Sequence, residues 1–321
     1  MSDEDFRVFI KNILLNRCLL KNSTISRYFD TEEGLSLLRR AFTDTSYDTE
    51  NNYELFETEG DVVLNHYTLV YIQKKFQIKN VDKLTRIKHN LVSNKFIGGI
   101  ALKNNFDKYL RFDKEAASFK YRKKNKKTEF DYDSFYVGMA QDCVEALLGV
   151  IQHILTTNLD HGVGISSEAC YNLVSSLLDQ TVIPTEYEDV VDYKTRFKEF
   201  LDSKGWNKDP RSDCSLQNSI KTFDINRDVT SQKYYKKILN PNSALSKAAF
   251  LEIENEPTHK HFSLGHYCAD GTKNARKLLV VKSAGRKDEA EQLVAQELIN
   301  IITTQYGEVM PVRSNFASTK K

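Results

Sequence analysis

Cys-x-x-Cys spacing is missing from this chain: Cys18, Cys143, Cys170, Cys214 and Cys268 are scattered along it. That excludes a zinc ribbon and a dense disulfide scaffold, and points to reduced, mostly buried thiols of an intracellular protein, cytoplasmic or nuclear. No apolar run reaches the ~18 residues of a membrane span, so no membrane partner is expected. The start, Met1-Ser2-Asp3-Glu4-Asp5, is acidic. It lacks both the basic n-region of a signal peptide and the arginines of a mitochondrial presequence. None of the seven histidines falls in a catalytic constellation, and His89 reads as a surface residue. A net charge of +2 excludes little, and its distribution says more than its sum. With 321 residues, 40% hydrophobic and 28% charged, the chain is globular and long enough for two cores.

What the chain does have is two pairs of acids at helical spacing. Glu57 and Asp61 stand at i and i+4, and Asp142 and Glu145 at i and i+3. Each spacing sets two carboxylates on one face of a helix, where they repel unless a counter-charge intervenes. A solvated helix face would account for either pair alone. The flanks argue otherwise, because Val62, Val63 and Leu64 follow Asp61, and Cys143, Val144, Ala146, Leu147 and Leu148 surround Glu145. Helices this apolar are expected to be buried, and buried carboxylates are costly unless paired or metal-bound. A hard divalent cation, Mg²⁺ by default with Mn²⁺ as a substitute, suits four oxygen donors. Glu54, three residues before Glu57, falls on the same face as an auxiliary acid.

Cations are concentrated in two places. From Lys120 to Lys127 six of eight residues are Lys or Arg, Lys123 and Lys124 among them. A second set includes Lys273, Arg276, Lys277, Lys282, Arg286 and Lys287. A solvated loop is one reading of each. The other is a phosphate-binding surface, which an anionic site acting on an anionic polymer requires. The 120–127 segment is expected to be a mobile loop touching a phosphate backbone.

Four segments in order resemble the ribonuclease III endonucleases. They are Ala41-Phe42-Thr43-Asp44-Thr45-Ser46-Tyr47, the stretch from Glu54 to Leu64, Leu84 to Ser93, and Asp142-x-x-Glu145-Ala146-Leu147-x-Gly149. The resemblance covers roughly residues 35–155 and implies an all-α endonuclease domain over 1–182. It also implies that Glu57, Asp61, Asp142 and Glu145 are the catalytic and metal-binding acids. Two departures stand out: Asp44 replaces a family His, and Thr58-Glu59 replaces Phe-Leu. In the family an aromatic residue beside Leu-Gly-Asp packs into a partner domain, so Thr58 implies an altered dimer contact.

The remainder is expected to be a linker over 183–190, a second domain over 191–305 and a flexible tail over 306–321. Phe197, Phe200 and Leu201 have helical spacing, 249–254, 262–267 and 276–283 read as strands, and a long helix follows Gly285. This α-β-β-β-α order resembles a double-stranded-RNA-binding domain, of α+β class, with an insertion near 207–246. Such domains read A-form geometry and not sequence. By resemblance Thr195, Lys198, Glu199, His259, Arg286 and Lys287 contact RNA. Asp288 stands where the family has a second lysine, which weakens the contact unless Arg286 substitutes.

The whole then resembles a Mg²⁺-dependent endoribonuclease for double-stranded RNA. The resemblance implies a homodimer joined through the nuclease domain that leaves 3′ overhangs. Two alternatives stay open: a catalytically silent RNA-binding protein of ribosomal or silencing-suppressor type, and a subunit of a heterodimeric nuclease.

Overall fold

In the computed structural model, residues 2–125, 132–206, 219–224, 261–268 and 276–311 are described. The chain divides into two units, Met1–Thr185 and Glu186–Lys321.

The first unit is helical. Helix α1 (Asp3–Asn16) begins with a capping box in which Ser2 and Asp5 bond each other's backbone N–H, and it buries Phe6, Ile10, Ile13 and Leu14. The chain breaks after Asn16, Leu19 takes a positive φ of 57°, and α2 (Asn22–Thr24) runs into a π-helical turn at Ile25–Phe29. Helices α3 (Glu32–Arg40), α4 (Glu54–Phe76), α5 (Val81–Leu91), α6 (Asn94–Lys103), α7 (Lys114–Asn125), α8 (Tyr132–Asn158) and α9 (Gly162–Leu178) follow. Helix α8 is the centre of the unit, packed on α4, α6 and α9. Cys143, Val144, Ala146, Leu147, Leu148, Val150 and Ile151 are all fully buried on it. Its length and composition would let it cross a membrane, contrary to the absence expected from the sequence, but most of it is covered by protein. Cys18, Cys143 and Cys170 are buried free thiols, as expected. Burial pushes all three up, Cys170 to about 12.

The basic run corrects another expectation. Lys123 and Lys124 lie on the helical backbone of α7, which continues to Asn125. Lys and Arg are good helix formers, and nothing in the segment breaks a helix. Residues 126–131 lie outside the described ones.

The second unit is described by itself. Its elements are a short turn α10 (Tyr187–Val190), α11 (Tyr193–Ser203), β1 (Ile220–Asp224), β2 (His261–Cys268), β3 (Arg276–Ala284) and α12 (Lys287–Gln305). The strands form an antiparallel sheet in the order β1-β2-β3, with Ile220 opposite Gly265 and Leu264 opposite Val281. Helix α12 lies against the sheet and α11, and Phe197, Phe200, Tyr267, Val294, Leu298 and Ile302 form the core between them. Strands β2 and β3 lie where the alternation placed them. The described strand ahead of them, Ile220–Asp224, falls inside the stretch expected to be an insertion, being short and half polar. The expected strand at 249–254 lies outside the described residues. The expected linker also changes character: Tyr187 is buried against Val191, and its hydroxyl bonds Glu199 of α11.

Candidate active site

The entry to α4 is set by backbone pairing. Thr43 bridges Arg111 in parallel fashion, Asp44 N donates to the Arg111 carbonyl at 2.8 Å, and Tyr53 N donates to the Thr43 carbonyl at 3.0 Å. The Asn52 side-chain oxygen then accepts the Glu54 N–H at 3.0 Å, satisfying one of the helix's free donors.

Two glycines decide where the acids meet. A Cβ on Gly60 would lie 1.7 Å from the Glu145 carbonyl oxygen, and one on Gly149 would lie 2.3 Å from the Phe56 carbonyl oxygen. No side chain fits at either point, so α4 and α8 touch backbone to backbone. The pairing of 60 with 145 and of 56 with 149 makes the crossing antiparallel. It brings the α4 acids beside the α8 acids.

They meet in an open cleft of about 870 Å³. Carboxylate oxygens of Glu57, Asp142 and Glu145 lie within 4.8 Å of one another. Glu57 and Asp142 are half-buried, whereas Glu145 is 4% exposed. Desolvation pushes Glu145 up to about 8, the charges of Asp61, Asp142 and Glu57 push the same way, and a hydrogen bond from Gln141 opposes them. That bond runs from Gln141 Nε2 to Glu145 Oε1 at 2.7 Å. On the opposite wall Tyr53, also buried, donates its hydroxyl to Asp44 Oδ2 at 2.7 Å and stands 3.4 Å from Asp142 Oδ2. Burial, followed by the charges of Asp142 and Asp44, pushes the Tyr53 phenol far up, so it remains protonated.

Of the four acids expected to hold the metal, three converge. Asp61 lines the same cleft, but it is exposed and its carboxylate accepts from Asn65 Nδ2 at 2.8 Å, a bond within its own helix. Glu54 lines the cleft at its exposed side. Thr58 is exposed, with its hydroxyl bonded to the Glu54 carbonyl at 3.0 Å. The donor set is all oxygen and negative, with its most buried member carrying a raised proton affinity. That chemistry fits a hard divalent cation.

In the second unit the residues expected to meet RNA fare differently. Lys198 and Lys287 are exposed. Thr195 caps its own helix, its hydroxyl donating to Asp192 Oδ2 at 2.6 Å. Glu199 is corrected outright: it is 5% exposed and taken up by Tyr187, so its carboxylate faces the interior. Arg286 is clamped by Asp288, donating from Nε at 3.1 Å and Nη2 at 2.6 Å, which neutralises the substitute charge expected of it. His259 lies outside the described residues.

Of the comparisons with known proteins, the family match lies within the first unit. Residues 54–152 match the ribonuclease III domain. The matched stretch runs from α4 to α8 and contains Glu57, Asp61, Asp142 and Glu145. A protein of Invertebrate iridescent virus 6, provisionally named ribonuclease 3, is 29% identical over 202 residues. That match covers 62% of this chain and 66% of the viral protein, just under two thirds of its length. Ribonuclease 3 of Streptococcus gordonii is 26% identical over 58% of this chain and 73% of its own. The solved nuclease domain of Campylobacter jejuni ribonuclease III aligns with 51% of this chain and 100% of its own, at 21% identity and a TM-score of 0.36.

Among the cleft residues missed as site members are Asp44, Tyr53 and Gln141. Gln141 carried a usable signal, four residues before Glu145 on an apolar helix. The Asp44–Tyr53 pair carried none, because its nine-residue separation crosses an irregular turn.

Proposed function

We propose that this chain is a divalent-metal-dependent endonuclease that cleaves double-stranded RNA. The observation that carries the reading is the convergence of Glu57, Asp142 and Glu145 in the cleft of a ribonuclease III domain. Mg²⁺ is the assigned ion and Asp61 the fourth acid at its site. When bound, such an ion generates a nucleophile from water near neutral pH and offsets charge developing on the phosphate. Glu145 holds a proton near neutrality in the metal-free cleft, so serving as a ligand requires releasing it. Glu57 and Asp142, nearer the solvent, face the incoming phosphate. Tyr53 keeps its phenolic proton and donates it in a hydrogen bond to Asp44, both residues lining the cleft.

The second unit is assigned to duplex binding, supported by the helix, three-strand, helix order of its described elements and by exposed Lys198 and Lys287. Contacts of that kind use phosphates and 2′-hydroxyls and carry little sequence preference. A homodimer through α4 is supported by Leu55 and Val62, which are 59% and 66% exposed on one side of the helix. By the family resemblance, such a pair leaves 3′ overhangs. Thr58, lying between them with its hydroxyl satisfied internally, favours a second reading in which α4 seats a different chain.

The deciding assay is cleavage of long duplex RNA with Mg²⁺, set against Ca²⁺. Wild type is expected to cut only with Mg²⁺. Glu145→Gln is expected to lose cleavage by at least ~100-fold, as when a group stabilising the transition state is removed, while duplex binding stays near wild type. Equal loss of binding and cleavage would remove Glu145 from the chemistry. Absence of cleavage by wild type, with tight duplex binding, would make the chain a binding protein.

A further inference from the structure

Gln141 is 8% exposed and its amide is placed at a cost. Nε2 donates to Glu145 Oε1 at 2.7 Å and, more weakly, to the Val92 carbonyl at 3.4 Å. Its own Oε1 is fully buried and accepts no hydrogen bond among the described residues. With Glu145 ionised, as an ion ligand must be, the reverse orientation would set the amide oxygen against the Glu145 and Val92 oxygens, acceptor against acceptors, and strand the two donors instead. Val92 ends α5, so its carbonyl is one of the groups a helix terminus leaves without a partner inside the helix. The side chain therefore spans from the end of α5 to the most buried acid of the cleft. The orphaned oxygen is what that attachment leaves behind.

We propose that Gln141 is a positioning residue that fixes the rotation of the Glu145 carboxylate for divalent-ion binding. The proposal rests on the reading of the cleft as an ion site. A carboxylate held at one oxygen by a buried N–H presents the other in a fixed direction, and outer partners of this kind tune metal affinity by about 10- to 100-fold. A leucine or methionine at 141 abolishes the orphaned acceptor, yet leaves Glu145 free to turn.

The test is a titration of the metal-free full chain with Mn²⁺ alone, free ion being read by electron paramagnetic resonance. It is run on wild type, Gln141→Leu, Gln141→Met and Glu145→Gln, alongside each protein's melting temperature. The expected result is Mn²⁺ affinity lowered at least 10-fold in both Gln141 variants, with melting temperatures of the metal-free proteins close to wild type. Wild-type affinity in a folded Gln141 variant overturns the proposal while Glu145→Gln still loses the ion. Failure of both Gln141 variants to fold overturns it too, marking the amide as structural. Undiminished binding by Glu145→Gln, or none by wild type, is a different failure: it removes the ion site itself.

Discussion

Glu145 ties the stability of the metal-free protein to pH. Its folded-state proton affinity corresponds to about 8, against an ordinary glutamate value of 4.5. Below the ordinary value the carboxyl is protonated in both folded and unfolded chains and costs nothing. As pH rises from there towards 8, the unfolded chain ionises while the folded one resists, and stability drains away. The loss completed by the folded-state value is on the order of 4 kcal/mol. Melting of the metal-free protein between pH 5 and pH 8 is expected to show a falling melting temperature, and Glu145→Gln should flatten that slope. At the proposed ion site, added Mg²⁺ should restore stability at pH 8, as any ligand does that prefers the native chain. This residue was legible from sequence, since an acid inside Cys143-Val144-x-Ala146-Leu147-Leu148 has no route to solvent on most sides. Glu199 was not legible. Its burial depends on Tyr187, twelve residues earlier, in a stretch whose acidic composition read as a linker.

At the scale of elements, spacing foretold the helices but not how they cross. The periodicities around Asp61 and Glu145 gave α4 and α8; that Gly60 meets the Glu145 backbone is a tertiary fact. Gly60→Ala would push a methyl group into that carbonyl, and overpacking of this kind costs about 1–3 kcal/mol or more. The expected outcome is a lower unfolding midpoint in urea together with weaker Mn²⁺ binding, because forcing the helices apart also parts the acids. Strand β1 escaped notice because five residues with lysine, threonine and aspartate among them carry little alternation. In the second unit Asp192 joins two helices. It accepts from Thr195 N at 3.0 Å, capping α11, and from Gln292 Nε2 of α12 at 2.7 Å. Asp192→Ala is expected to lower that unit's stability by about 1–2 kcal/mol, the usual cost of a lost cap. Thermal unfolding monitored at Trp206, which packs against Phe200 and Tyr267 of the same unit, reads it directly.

For the whole molecule, the open question is what covers α4. Leu55 and Val62 are 59% and 66% exposed on one side of the helix, left uncovered by the described residues of the first unit. In the proposed homodimer, Val62→Lys places a charge in the seam. Sedimentation is expected to show a dimer for wild type and a monomer for the variant, with the fold retained. A wild-type monomer that cleaves only after a second chain is added would favour the heterodimeric reading.

The backbone contact at Gly60 and Gly149 acts as a pivot that fixes the cleft's width. At the proposed ion site, ions of different radius are then accommodated by turning the Glu57, Asp61 and Asp142 carboxylates and not by sliding helices. Ca²⁺–oxygen distances exceed those of Mg²⁺ by about 0.3–0.5 Å, a mismatch that falls on those three side chains while Gln141 holds Glu145. The proposed site is thus a gauge for ionic size, with its calibration written into two missing side chains.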